Sequence, residues 1–376
     1  MTVLYLTTHV LDDHFEQACH RISSLPNPAG QNFHGKLIRS LATALNVRVY
    51  SFVPASLSYL GNATTVLHER LSYTYLQGPK NRYLRGLFFP SLAYKRILQS
   101  LNEDPASCLL YDPLNQTIAK VAEKLSKKLN CPRYAILTDD IENITGVSPS
   151  FCAGIKKKAK TADGSIALTK GLVKTYGLEE RPSFIQPFLT EASESSPKKR
   201  SRPYIYYGGA LFEKDGTKDL LEWFQRAHPN YDLLLSGHGA MEEEVRRVAT
   251  GDPHIEFLGQ ISKQEHYAYI QGCALAINPR HYNKRLDDNA VPSKVMEYLS
   301  FAPFVASTLS TPIHDEFEKD VNWINGDLDT FFQNHLDENG NLVELLPNQA
   351  CKTILKEYGP KETGLRLKTF LTSSND

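Results

Sequence analysis

Short apolar runs rich in β-branched and aromatic residues alternate with stretches of helical period along this chain. In the first half, Val3 to Leu6, Val47 to Phe52, Ser107 to Tyr111, Tyr134 to Thr138 and Ser165 to Thr169 read as buried strands. Gln31 to Leu45, Gln116 to Lys128 and Gly154 to Ala159 read as intervening helices. Strands separated by helical segments imply parallel pairing with right-handed crossovers, hence an α/β class.

The alternation is broken once, by the Ser-rich, polar stretch from Thr190 to Arg202, which has no apolar period and reads as a linker. Beyond it the pattern is more regular. Tyr204 to Tyr207 is a strand ending in Gly208-Gly209, followed by a helix from Lys218 to Ala227. Tyr231 to Leu235 ends in Ser236-Gly-His-Gly239, before a helix from Met241 to Val248. His254 to Leu258 ends in Gly259, with a helix from Lys263 to Gln271 behind it. Cys273 to Ile277 ends in Asn278-Pro279, and a helix from Ser293 to Ser300 leads into the strand Phe304 to Ser307. The sequence therefore predicts a doubly wound sheet whose glycines sit at strand C-termini, where such sheets bind ligands. The expected division is a first domain over 1–190, a linker over 191–202 and a second domain over 203–355. A last helical piece over 356–376 is expected to pack back on the body.

Composition adds mostly exclusions. Forty-two basic and 42 acidic residues give no net charge, which argues against nucleic acid as a partner. The six cysteines lie far apart without a C-x-x-C pair, as in buried thiols of a reducing compartment, and no metal site is expected. The N-terminal Met-Thr-Val-Leu-Tyr-Leu reads as a first strand, not a signal peptide, and no run approaches eighteen apolar residues. A cytoplasmic protein is expected. Lys80 to Arg96 interleaves cations with aromatics and could lie on the inner face of an anionic membrane, although a packed helix with a solvated basic face explains the pattern better. Lys156-Lys-Lys-Ala-Lys160 reads as a solvated helix face.

Four signals fall at successive strand ends of the second domain. Gly208-Gly209 with Lys214 and Gly216 offers bare backbone and a cation at the first strand–helix turn. Gly237-His238-Gly239 repeats a backbone-exposing turn, and Phe257-Leu258-Gly259 ends the third strand. In Asn289-Ala-Val291-Pro292-Ser293-Lys294-Val-Met-Glu297, Pro292 suits a first helical turn and Lys294 sits beside anion-binding amides. Glu297, a turn further on, could accept both hydroxyls of a ribose. Each residue has an ordinary reading as well: a solvated lysine, a helix-surface carboxylate, a histidine that only hydrogen-bonds.

Together these segments resemble the donor domain of retaining GT-B glycosyltransferases of family four, whose motifs G-x5-K-G, G-x-G, F-L-G and P-S-K-x-x-E-Y-L are matched in order. One extra residue, Asp215, precedes Gly216. The resemblance covers Tyr204 to about Ser307 closely and the first half more loosely. It implies two doubly wound Rossmann-like domains facing a central cleft, and a hexose-type sugar moved from a UDP- or GDP-linked donor to a glycan, lipid-linked or protein-linked acceptor.

Carried over to this chain, Glu297 would bind ribose and Lys214 would balance the leaving diphosphate. Lys294, with Val291, Pro292 and Ser293, would hold the distal phosphate, and Gly208, Gly209, His238 and Gln260 complete the expected donor site. No cofactor and no obligatory metal are implied. Two departures stand out. Glycines replace the arginine often found beside the first glycine pair, and Asn289 stands where the first acid of an E-x7-E pair is expected, eight residues before Glu297. Arg280, Lys284 or Arg285 could replace the missing cation. In the first domain, Pro28 to His34 resembles an acceptor-side loop, making Gly30, Gln31, Asn32 and His34 candidates there. Asp139, at the end of another strand, is a further catalytic candidate. A nucleotide-sugar epimerase and a non-catalytic transferase-like partner are the alternatives. A periplasmic-type binding protein is disfavoured by the N-terminus.

Overall fold

The computed structural model describes residues 1–19, 28–101, 106–144, 147–284 and 291–373. The chain forms two compact units, Met1–Leu189 with Tyr358–Asp376, and Thr190–Glu357. Each has the α/β architecture with a mostly parallel sheet.

The first unit opens with β1 (Thr2–Thr7), α1 (Asp12–Cys19), α2 (Pro28–Ala42) and β2 (Asn46–Phe52). A hairpin of β3 (Thr64–His68) and β4 (Leu71–Leu76) follows, then α3 (Arg82–Ser100) and β5 (Cys108–Tyr111). The rest is α4 (Gln116–Leu129), β6 (Arg133–Leu137), α5 (Pro149–Ala159), β7 (Gly164–Ala167), α6 (Lys170–Thr175) and β8 (Ser183–Ile185). The strand order is β3-β4-β2-β1-β5-β6-β7-β8, and only β3 runs antiparallel to its neighbour. Alternate residues of β1 feed opposite faces, Leu4 and Leu6 into one core and Val3 and Tyr5 into the other.

Three features differ from the sequence expectation. The β3–β4 hairpin was not anticipated; its first strand is exposed throughout, so it lacks the apolar signature of a buried one. The stretch Pro28 to His34 is the first two turns of α2, not a loop ahead of a helix. Proline fits a first helical turn, and one glycine inside costs only about 1 kcal/mol. Residues 190–202 form no helix or strand, yet they lie along the second unit. There Lys263 pairs with Glu191 at 2.8 Å, and the Lys198 amide bonds to the Ala268 carbonyl at 2.8 Å.

The second unit carries β9 (Tyr204–Ala210), α7 (Thr217–Ala227), β10 (Asp232–His238), α8 (Glu242–Gly251), β11 (Ile255–Gly259) and α9 (Lys263–Gly272). After β12 (Leu275–Asn278) come α10 (Ser293–Phe301), β13 (Val305–Thr308), α11 (Thr311–Phe317), β14 (Asn322–Ile324), α12 (Leu328–Gln333) and α13 (Cys351–Glu357). The all-parallel order β11-β10-β9-β12-β13-β14 reverses direction between β9 and β12, which defines the switch point where a crevice opens at the strand C-termini. Elements from α11 to α13 were not resolved by the sequence pattern, being three to seven residues long.

The chain closes with α14 (Pro360–Ser373), which packs on α2 of the first unit. Leu367 and Leu371 are fully buried there. Gly364 allows the approach, since a Cβ on it would lie 2.3 Å from the Ser40 carbonyl oxygen. Leu367→Ala would leave a cavity in that core and is expected to cost roughly 2–5 kcal/mol, read as a lower urea midpoint for unfolding of the first unit.

Candidate functional site

In the second unit the switch point is built on a polar layer that starts from buried tyrosines. Tyr206 of β9 is fully buried, so its hydroxyl needs partners. It finds Ser236 Oγ of β10 at 2.6 Å and His266 Nδ1 of α9 at 2.8 Å. The other ring nitrogen, His266 Nε2, stands 3.3 Å from Glu297 Oε2 of α10. An ionised carboxylate only accepts, so the network assigns the imidazole proton to Nε2 and makes Nδ1 the acceptor from Tyr206. Glu297 is thus held on one side by protein, with 16% of its side chain exposed.

The first glycine pair has two tasks. Gly208 exchanges hydrogen bonds with the Tyr298 hydroxyl, donating at 2.9 Å and accepting at 3.2 Å, and so ties β9 to α10. A Cβ on Gly208 would sit 2.5 Å from the His266 ring, so that residue must be small for the imidazole to reach Glu297. Gly209 lies under Lys294, whose ammonium would be 3.1 Å from an added Cβ. That ammonium donates to the Tyr207 hydroxyl at 2.9 Å and lies 3.9 Å from Asp215, too far for a hydrogen bond. A lysine has three donors, so this geometry leaves capacity for an anion.

Asp215 draws the next loop in. Gly216 takes a left-handed conformation at φ 74°, and a Cβ there would fall 2.0 Å from the Pro279 carbonyl oxygen. The amide of His281 bonds to the Lys214 carbonyl at 3.0 Å. The turn after β9 and the turn after β12 are thereby locked together, with Arg280 beside Asp215. Burial lowers the pKa of that guanidinium, and the Asp215 charge opposes the effect. Lys294 and Arg280 thus bring two cations to the switch point, set beside the carboxylates of Asp215 and Glu297. Lys214 is exposed, its ammonium 5.8 Å from the Phe212 ring centroid. A cavity of about 750 Å³ adjoins this cluster at the ends of β12, β13 and β14, lined in part by Arg280, His281, Thr308 and Asn325.

The remaining donor-side candidates lie as follows. Pro292 precedes the first turn of α10 without any side-chain cap, so Ser293 and Lys294 open the helix on bare amides, with Val291 just before. Gln260 is exposed after Gly259, which is left-handed at φ 69°. His238 is two-thirds exposed and bonded to Glu242 at 2.7 Å, where Arg246 also binds; both hold that carboxyl below its usual range. Gly237 and Gly239 serve packing: an added Cβ would lie 1.7 Å from the Gly209 oxygen and 2.3 Å from the Leu211 oxygen. Strand β10 accordingly runs on to His238, past the turn expected at Ser236. Asn289, with Arg285, Asp287 and Asp288, lies outside the described residues, and Lys284 is exposed.

In the first unit the candidates separate. Gln31 is buried and holds the turn after β1, accepting from the Val10 amide at 3.0 Å. Asn32 is exposed and Gly30 faces open space. His34 is buried 2.7 Å from the Tyr5 hydroxyl, and burial pushes its pKa down to about 3, so it is neutral. Asp139 lies two residues past β6, with its carbonyl accepting from Tyr176, while Asp140 caps the following turn. Sequence reasoning missed Asp112, at the end of β5 beside the β1/β5 switch point, whose carboxyl is lifted to about 6 by burial. It also missed His266, which the capping box of Ser262 and Glu265 places on a helix without indicating its partners.

His34 gives a pH signature. The unfolded imidazole takes up its proton near 6.5, whereas the folded one resists until about 3. Its contribution to stability is full above 6.5 and is lost as pH falls from 6.5 toward 3. Thermal unfolding in that window should show wild type losing stability more steeply than His34→Gln, with parallel curves above it.

Residues 190–326 match the family model described as glycosyl transferases group 1. No curated protein matches in sequence. In fold, the chain is similar to Anabaena Alr3699/HepE in complex with UDP and glucose, at a TM-score of 0.65, 13% identity, and 99% of this chain and 100% of that chain covered. It is also similar to an alpha,alpha-trehalose-phosphate synthase (UDP-forming) from Burkholderia vietnamiensis, at a TM-score of 0.63 and 11% identity, with 100% and 99% covered. The sucrose-phosphate synthase of Thermosynechococcus elongatus gives a TM-score of 0.62 at 11% identity, with 100% and 95% covered. Two Rossmann-like α/β units of this kind make the GT-B fold.

Proposed function

We propose that this GT-B glycosyltransferase, with its group 1 domain over residues 190–326, moves a hexose-type sugar from a uridine diphosphate donor with retention at the anomeric carbon. The single observation that carries the donor half is the arrangement at the β9/β12 switch point. Lys294 and Arg280 offer positive charge, the start of α10 without a side-chain cap offers backbone amides, and Glu297 is oriented one turn away. A diphosphate suits the first set and ribose hydroxyls suit the second. UDP in the names of two proteins similar in fold supports the choice of base.

In the proposed reaction the bond between the anomeric carbon and the β-phosphate oxygen breaks as the acceptor oxygen bonds to the same face of that carbon. The acceptor proton passes to the departing phosphate oxygen. Negative charge grows on the diphosphate, and Lys294 with Lys214 stabilises it there, so that no metal is assigned a role. Asn289 would hydrogen-bond the sugar in place of an acid. Asp139 and the nearby Asp112 lie at strand ends of the first unit, which we assign to a glycan, lipid-linked or protein-linked acceptor. Residues 1–189 with the closing helix would form the acceptor domain, and the cytoplasm is the proposed setting.

Lys294→Ala is expected to lower kcat/KM for the hydrolysis of the preferred donor by roughly 10²–10³-fold while the protein stays folded. The donor is first chosen by thermal shift across UDP-, GDP- and ADP-sugars. Full activity in the folded variant would remove Lys294 from the chemistry. A sugar isomer formed from donor alone would turn the reading to an epimerase, and no shift with any nucleotide would turn it to a non-catalytic partner.

A further inference from the structure

We propose that α3 of the first unit is a docking face for an anionic lipid bilayer. The helix is apolar on two sides. Phe89, Ala93 and Ile97 are at most 2% exposed and fill the core. On the other side Tyr83 is 77% exposed, Leu84 48%, Leu87 69%, Phe88 55% and Leu92 37%. Positions 84, 87, 88, 91, 92 and 95 follow the i, i+3, i+4, i+7 spacing of one helix face, so these side chains form a continuous stripe. A helix packed in water on one side only should present polar residues there, and scattered exposed leucines would need no explanation. Five large apolar side chains on three turns do.

Charge decides the occupant. From Arg70 to Asn102 the chain has six cations and no acid, although the whole chain carries 42 of each. Lys80 before the helix and Lys95 in its last third are exposed at the two ends of the stripe. Arg85 and Arg96 are turned to protein instead, Arg85 to the Val53 carbonyl and over the Phe89 ring, Arg96 to Asn62. Apolar and aromatic side chains at the acyl boundary, flanked by lysines that reach up to phosphates, suit a helix lying in a lipid interface. A second copy suits the stripe poorly, because a two-fold contact would set lysines against lysines. Among the described residues no helix is long and apolar enough to cross a membrane, so the contact is one of surface adhesion.

The surface is tested on the full chain without nucleotide, which keeps its outcome separate from that of the donor reading. Wild type is floated with vesicles of equal parts phosphatidylglycerol and phosphatidylcholine, and with phosphatidylcholine alone. Anionic vesicles are expected to retain it, neutral ones at least about tenfold less, with retention falling as salt is raised. The variant Leu87→Glu/Phe88→Glu, altered only at exposed positions, should keep its thermal transition and lose on the order of a hundredfold in partitioning. Lys80→Glu/Lys95→Glu should lose the preference for anionic lipid. Failure of wild type to bind anionic vesicles, equal binding by the folded Leu87→Glu/Phe88→Glu variant, or a solution dimer dispersed by that variant would each overturn the proposal.

Discussion

A buried phenol must keep its hydrogen bonds, and the second unit is organised around that requirement at Tyr206. Its ring is stacked on Tyr269 at 5.8 Å, inside the sheet–helix core, where a lone hydroxyl would cost about 1–3 kcal/mol. Ser236 and His266 satisfy it, and His266 passes the constraint to Glu297. Strand β9, strand β10, helix α9 and helix α10 are therefore held in register by one polar chain. The glycines follow from it, since a side chain at position 208 would occupy the space of the imidazole.

The same device recurs in the first unit. Tyr5 meets His34, Tyr73 meets His9 and Tyr75 meets His14, at 2.7, 3.1 and 2.7 Å. There, burial drives His9 and His34 toward the neutral form and the hydroxyls of Tyr5, Tyr73 and Tyr75 away from ionisation. These pairs fix β1, β4 and the helices beside them. These three histidines are thus architectural, whereas the cations of the proposed donor site, Lys294 and Arg280, lie in the second unit.

Much of this was legible in the sequence where a local pattern carries the cause. Periodicity placed the starts of β9 to β13 within two residues, because each strand is a short, largely apolar run, but it ended β9 and β10 three residues early at their glycine turns. The order of Gly208, Lys214, Lys294 and Glu297 was legible for the same reason. What escaped depends on contacts between distant segments. Gly237 read as part of a backbone-exposing turn, and no local signal showed that the Gly209 carbonyl lies against it. His266 and Glu297 are 31 residues apart, and nothing local links them. His34 looked like a cleft residue because a loop was expected; in a helix it turns inward to Tyr5.

The proposed donor site depends on Glu297 accepting the ribose hydroxyls beside the cations that would hold the diphosphate. Calorimetric titration of UDP and of its 2′-deoxy counterpart into wild type and Glu297→Gln tests this most directly. Wild type is predicted to prefer the ribonucleotide by roughly tenfold, the value of one good charged hydrogen bond, and the variant to bind both nearly alike and weakly. Equal and undiminished binding of both nucleotides by the folded variant would contradict the assignment.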